Sequence, residues 1–250
     1  MSSNNGRTAI VTGASKGLGA GIAKALAETG AAVVVNYRAD AKGAERVVAD
    51  ITAKGGRAIA VQADVASSDD VRRLFDQSRE VYGPVDVLVN NAAVATFAPL
   101  SSITEDGFQR EMTTNLLGTI LTTQALAAQD DRSRAASIIN VSTAGTVTHP
   151  PYTSLYVASK SAVNAFTIVA AKELGPRGIR VNAIMPGPSD TEGTRASGFV
   201  GSDQEVQAIA ATPLGRTGTP DDYGPLVAFL ASDDARWITG DVILASGGMR

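Results

Sequence analysis

Short apolar, β-branched runs recur along the chain at residues 8–11, 32–35, 58–61, 85–89, 137–141, 179–184 and 241–244. Each is too short for a helix and apolar at nearly every position, the pattern of a strand buried on both faces. Between them lie longer segments with apolar residues at helical spacing: 18–28, 42–53, 69–81, 105–128, 156–174 and 221–230. Strand and helix alternate from end to end, which predicts a doubly wound Rossmann-type α/β fold, a seven-stranded parallel sheet with helices on both faces. No linker, repeat or composition shift divides the pattern, so residues 1–250 read as one domain. Residues 187–218 resist assignment apart from one helix near 203–211. This Gly-, Ser-, Thr- and Pro-rich stretch follows a strand end, where doubly wound folds hold their ligands, and reads as a substrate loop.

Composition narrows the chemistry. The 250 residues are 44% hydrophobic and 19% charged, with a net charge of −3 and no basic stripe, so no nucleic-acid partner is expected. Cysteine is absent and histidine occurs once, at His149, which removes disulfides, thiolate nucleophiles and histidine- or cysteine-rich metal sites. No apolar run suits a signal segment or a bilayer span, so the expectation is a cytoplasmic protein without a membrane partner. Arg132, Arg134 and Arg177 would make a basic surface, but Asp130 and Asp131 dilute it, and solvated charge is the reading.

Thr12 to Gly19 join the first strand to the first helix in a G-x-x-x-G-x-G spacing. Glycines there let backbone approach a pyrophosphate, whose charge suits a helix N-terminus, so Gly13, Ser15, Lys16, Gly17, Leu18 and Gly19 are cofactor candidates. After the second strand stand Asn36, Tyr37 and Arg38, with no acid until Asp40. An acid would bind a ribose hydroxyl; Arg38, helped by Lys16, suits a 2′-phosphate, and predicts NADP, with NADPH preferred over NADH. Asp64 and Val65 follow strand three, where the acid accepts from an adenine amino group or caps a helix. Asn91, Ala92 and Ala93 follow strand four, where small residues let backbone lie against a ligand.

Tyr156 and Lys160 stand four apart, so in a helix they share a face. A free tyrosine has a pKa of about 10, and a neighbouring ammonium is expected to lower it toward general acid/base use. Ser142 closes the fifth strand, at the same sheet edge. Asn115 is awkward within a helix because its amide competes with backbone bonding, the kind of local violation found at functional sites.

Taken in order, the Thr12–Gly19 loop, Asp64, Asn90 to Ala93, Asn115, Ser142, Tyr156 with Lys160, and Pro186–Gly187 resemble the short-chain dehydrogenase/reductase family over essentially the whole chain. The resemblance implies a proton passed between Tyr156 and a carbonyl oxygen, with Ser142 bonded to that oxygen. Lys160 would lower the Tyr156 pKa and hold the nicotinamide ribose, and Asn115 would keep a helix irregular and position a relay water. Pro186, Gly187, Ser189 and Thr191 would shape the nicotinamide end. From their place in the 149–154 loop, His149 and Tyr152 read as substrate-facing with Ser142 and Tyr156, His149 equally well as a surface loop residue. A homotetramer is implied as well. Three positions depart from the family pattern: Ala93 replaces a glycine, Ser189 replaces an aliphatic residue, and no acid precedes Gly247–Gly248. The activity implied is NADP-dependent reduction of a ketone or aldehyde; a 3-oxoacyl-thioester reductase and a sugar or polyol dehydrogenase are the alternatives. A non-catalytic NADP-binding regulator is the rival of another class, but it needs no tuned acid.

Overall fold

The computed structural model describes residues 3–130 and 134–250; Asp131 and Arg132 lie outside them. Seven strands form one parallel sheet: β1 Thr8–Val11, β2 Ala32–Tyr37, β3 Arg57–Gln62, β4 Val87–Asn90, β5 Ala136–Val141, β6 Ile179–Pro186 and β7 Val242–Ala245. Their spatial order is β3-β2-β1-β4-β5-β6-β7. Val11 pairs with Val35 on one side and Val89 on the other, so the order reverses at β1 and β4. A crevice opens above the carboxyl ends of strands at such a reversal.

Side chains along β1 alternate between two cores, as strand geometry requires. Ala9 and Val11 join Ile22, Leu26, Val47, Val227 and Leu230 of α1 (Gly17–Glu28), α2 (Ala41–Ala53) and, later in the chain, Pro220–Ala231. Ile10 faces the other way, toward Leu74 of α3 (Ser68–Tyr82) and Leu126, with Leu88 and Ile138 beside it. Ile10, Leu88 and Ile138 are fully buried. Each contributes about 1.5–3 kcal/mol through apolar burial, and the sum fixes the strand ends that carry the site.

The single helix expected over 105–128 is broken in its middle. It comprises α4 (Glu105–Met112), a π-helical turn over Thr113–Leu117 and α5 (Gly118–Ala127). Thr104 starts it by accepting from the Gly107 N–H at 3.1 Å. Asn115 lies in the π turn, where its side chain bonds outside the helix. A one-turn α6 (Gly145–Thr148) precedes α7 (Ser154–Leu174). The 187–218 stretch holds two helices rather than one, α8 (Glu192–Ala196) and α9 (Asp203–Ala211), before α10 (Pro220–Ala231). Thr191 and Thr194 cap each other at the start of α8. No helix among the described residues is long and apolar enough to cross a membrane.

Candidate functional site

The loop after β1 is fastened from both flanking strands. Thr12 Oγ1 accepts the N–H groups of Asn91 at 2.9 Å and Ala92 at 3.0 Å, while Asn91 Nδ2 donates to the carbonyls of Thr12 and Gly13. On the other side Asn36 Oδ1 accepts from Gly13 N–H at 3.2 Å, and Asn36 Nδ2 donates to Ala63 at 3.1 Å. Asn36 and Asn91 therefore spend their side chains on the protein's own loop. Gly13 has φ +60°, and a Cβ there would come within 2.9 Å of Ala92 Cα, so no larger residue fits.

Gly17 opens α1 with φ +59°, after an N-cap, Lys16, that supplies no side-chain bond. The first N–H groups of the helix thus lack intrahelical partners and carry its positive end. Glu192 Oε2 takes one of them, the Gly17 N–H, at 2.9 Å. A carboxylate thus sits at this helix N-terminus, the kind of position an anion takes, with exposed Lys16 beside it. Past β2, Arg38 is 66% exposed with Nε 3.5 Å from Asp64 Oδ2. Asp64 Oδ1 also accepts from Ala66 N–H, so it shapes the turn before α3, whose own N-cap is Ser67. Val65 is buried, against the place where a Cβ on Gly118 would sit. Ala93 is exposed.

The second cluster forms at β5. Ser142, directly after the strand, is buried and donates to the Lys160 carbonyl at 3.3 Å. The Lys160 ammonium donates to the Val141 carbonyl at 2.7 Å and lies 6.0 Å from the centre of the Tyr156 ring. Burial pulls Lys160 down to about 8. Tyr156 moves opposite to the sequence expectation: burial first, then the negative charge of Glu111, push the phenol up to about 12. A hydrogen bond with the Thr143 side chain lowers it in part. The reason is geometric: the ammonium is turned toward a backbone carbonyl, and desolvation of the hydroxyl dominates.

Asn115 reaches across to the segment after β4. Its Oδ1 accepts from Val94 N–H at 2.9 Å, and its Nδ2 donates to Val94 O at 2.8 Å and Ser159 Oγ at 3.0 Å. Ser159 Oγ in turn donates to the Tyr156 carbonyl at 2.8 Å. His149 and Tyr152 are exposed at the rim, both with positive φ, and are not brought against Ser142 or Tyr156 by a described hydrogen bond. At the end of β6, a Cβ on Gly187 would lie 2.9 Å from Ser246 Cα. Ser189 is buried, bonded to the Gly187 carbonyl and the Tyr223 hydroxyl at 2.8 Å each. Tyr223 of α10 thereby satisfies a hydroxyl where an aliphatic group was expected. Thr143, Glu111, Glu192 and Tyr223 had no place in the sequence reading. Only Glu111 left a trace, an acid one helical turn before Asn115. No cluster of metal-ligating side chains occurs among the described residues.

A family profile described as enoyl-(acyl carrier protein) reductase matches residues 13–250. An uncharacterised oxidoreductase of Methylorubrum extorquens is 52% identical over 250 residues, covering 100% of both chains. A 3-oxoacyl-(acyl-carrier-protein) reductase of Staphylococcus epidermidis is 40% identical over 243 residues, covering 97% of this chain and 98% of its own. The crystal structure of a short-chain dehydrogenase from Burkholderia cenocepacia in complex with NADP superimposes with a TM-score of 0.91 at 36% identity, covering 98% of each chain.

Proposed function

The chain belongs to the short-chain dehydrogenase/reductase family of oxidoreductases, and from that premise we propose that it reduces a ketone or aldehyde to an alcohol with NADPH, reversibly. One observation carries the reading. Ser142, Tyr156 and Lys160 gather at the carboxyl edge of β5, with the buried ammonium 6.0 Å from the phenol ring, on the same edge of the parallel sheet as the glycine loop after β1.

Gly13, Ser15, Lys16, Gly17, Leu18 and Gly19 would hold the pyrophosphate, with Asn36 and Tyr37 framing the loop. Arg38 would take the 2′-phosphate, and Asp64 with Val65 the adenine. Asn91, Ala92 and Ala93 would form one wall, and Lys160, Pro186, Gly187, Ser189 and Thr191 the nicotinamide end. The nicotinamide supplies or takes the hydride, which leaves proton transfer and orientation to the protein. Tyr156 gives its hydroxyl proton to the carbonyl oxygen; a phenol held protonated suits that direction. Ser142 Oγ donates a hydrogen bond to the same oxygen as charge develops there. The NADP complex of the Burkholderia relative supports the cofactor assignment. Exposed Phe108, Leu117, Ile168 and Val169 on the α4–α5 helix and α7 support a homotetramer, which light scattering would measure.

The 40% identity to a 3-oxoacyl-(acyl-carrier-protein) reductase favours one narrower reading, a 3-oxoacyl-thioester substrate. Steady-state assays of ketones, 3-oxoacyl thioesters and sugars with both cofactors test the two together. Turnover with none of them sinks the first reading, and a thioester no better than a simple ketone sinks the second.

A further inference from the structure

Glu111 lies one helical turn before Asn115, so the two side chains leave the same face of the helix. Both reach the segment after β4. Asn115 holds the N–H and C=O of Val94, and Glu111 Oε1 accepts the Thr96 N–H at 2.6 Å. Arg110 donates to Thr96 Oγ1 at 3.0 Å, and Ala98 N–H donates to the Tyr152 carbonyl at 2.8 Å. Every second residue from Val94 to Ala98 is thus fastened, the spacing of a strand. Helix side chains do what a neighbouring strand would do. Phe97 lies between two fastened residues and sets its ring edge-on to Tyr156, centroids 5.9 Å apart at 79°.

The choice of a carboxyl for this task is costly. Glu111 is 0% exposed, and its Oε2 is buried without a hydrogen-bond partner. A buried oxygen without a partner forfeits its hydrogen bonds to water, a cost that fastening Thr96 through Oε1 alone does not require. A group kept at such cost points beyond fastening.

We propose that Glu111 is a positioning residue for Tyr156: it fixes Thr96 so that Phe97 braces the phenol ring, with the carboxyl buried beside it. The proposal rests on the reading of Tyr156 as the acid. The negative charge of Glu111 is, after burial, the main influence raising the Tyr156 pKa. Of the groups around Tyr156, Lys160 on the same helix is turned to Val141, Ser142 donates to the Lys160 carbonyl, Thr143 beyond β5 bonds the phenol, and Arg110 is engaged at Thr96.

Two variants separate fastening from charge. Glu111→Gln keeps an acceptor for Thr96 and removes the charge; Glu111→Leu removes both. In Glu111→Gln the midpoint of the pH profile for alcohol oxidation should fall by about one unit, with Thr96 amide exchange unchanged. In Glu111→Leu, Thr96 exchange should accelerate at least about tenfold and kcat for reduction fall about tenfold, with the NADPH Kd within about twofold. An unmoved midpoint in the Gln variant, or protected Thr96 in a folded Leu variant, overturns the proposal. So does a parallel loss of kcat, NADPH binding and Tm in both, which would mark a structural role alone. A native enzyme that binds NADPH but reduces no carbonyl refutes the parent reading instead. The 13Cζ shift of Tyr156 and the exchange of Thr96 then score Glu111 without turnover.

Discussion

The Lys160 ammonium donates a 2.7 Å hydrogen bond to the carbonyl of Val141, the residue just before Ser142, while only 3% of Lys160 is exposed. The cation is buried against a dipole, with no carboxylate partner among the described residues, and burial lowers its pKa from 10.5 to about 8. The sign of the consequence follows from linkage. Below pH about 8 both folded and unfolded chains carry the charge, and the folded state bears the full desolvation cost. Between there and 10.5 the unfolded chain binds more protons, so the cost fades as pH rises. Lys160→Met should therefore stabilise the protein near neutrality by about 1–3 kcal/mol, allowing for the lost bond to Val141. The gain should shrink toward pH 10.5, while turnover falls at least about 100-fold. Urea unfolding across pH measures this; a Met variant no more stable than the native protein at pH 7 counts against it.

For Tyr156, replacement by phenylalanine should lower kcat by about 1,000-fold while NADPH binding changes less than about threefold. The native protein should reduce carbonyls at a rate flat through neutrality, falling only at alkaline pH as the phenol ionises. Oxidation of the alcohol should rise with pH, because there the phenolate is the base. Thr143→Ala removes the bond that lowers the phenol pKa, so the oxidation profile should move to higher pH. Substantial turnover in the Phe variant would remove Tyr156 from the role of acid.

The sheet was legible because strands such as 32–35 are short and apolar on both faces, which no surface helix can be. The break at Asn115 was not, since a π turn leaves the apolar spacing of 105–128 unchanged and adds only one odd residue. For Tyr156 and Lys160, spacing gave a shared helix face but not the direction of the ammonium, which depends on a carbonyl of β5. Glu111 with Thr96, Thr143 with Tyr156, and Ser189 with Tyr223 meet only after folding. None of these pairs has a spacing that local structure fixes, so one sequence without its structure holds no sign of them.

Arg38 stands exposed just after β2, and among the described residues Asp64 is the acid within ion-pair range, at 3.5 Å. That loose contact leaves its guanidinium able to meet a 2′-phosphate. A charge-assisted pair of this kind contributes about 1.5–3 kcal/mol, a preference for NADPH over NADH of roughly 10- to 100-fold in kcat/KM. Arg38→Asp should abolish that preference or reverse it. Equal use of both cofactors by the native protein would refute the assignment.

Glu192 poses a competition for the same crevice. Its carboxylate occupies the Gly17 N–H at 2.9 Å, the kind of helix N-terminus that a bound phosphate uses. Two anions on one N–H repel each other, so a dinucleotide pyrophosphate bound at this helix N-terminus would compete with Glu192 for it. Part of the binding free energy is then spent on breaking that contact. An amide at 192 competes more weakly, because it lacks the charge that the α1 dipole favours. Glu192→Gln should therefore tighten NADPH binding by about two- to fivefold, the size of one charge at a helix N-terminus. Titration of NADPH fluorescence measures it directly, and inorganic pyrophosphate should show the same ordering of the two proteins. Weaker binding in the Gln variant would mean that Glu192 supports the bound cofactor, and the competition would be refuted.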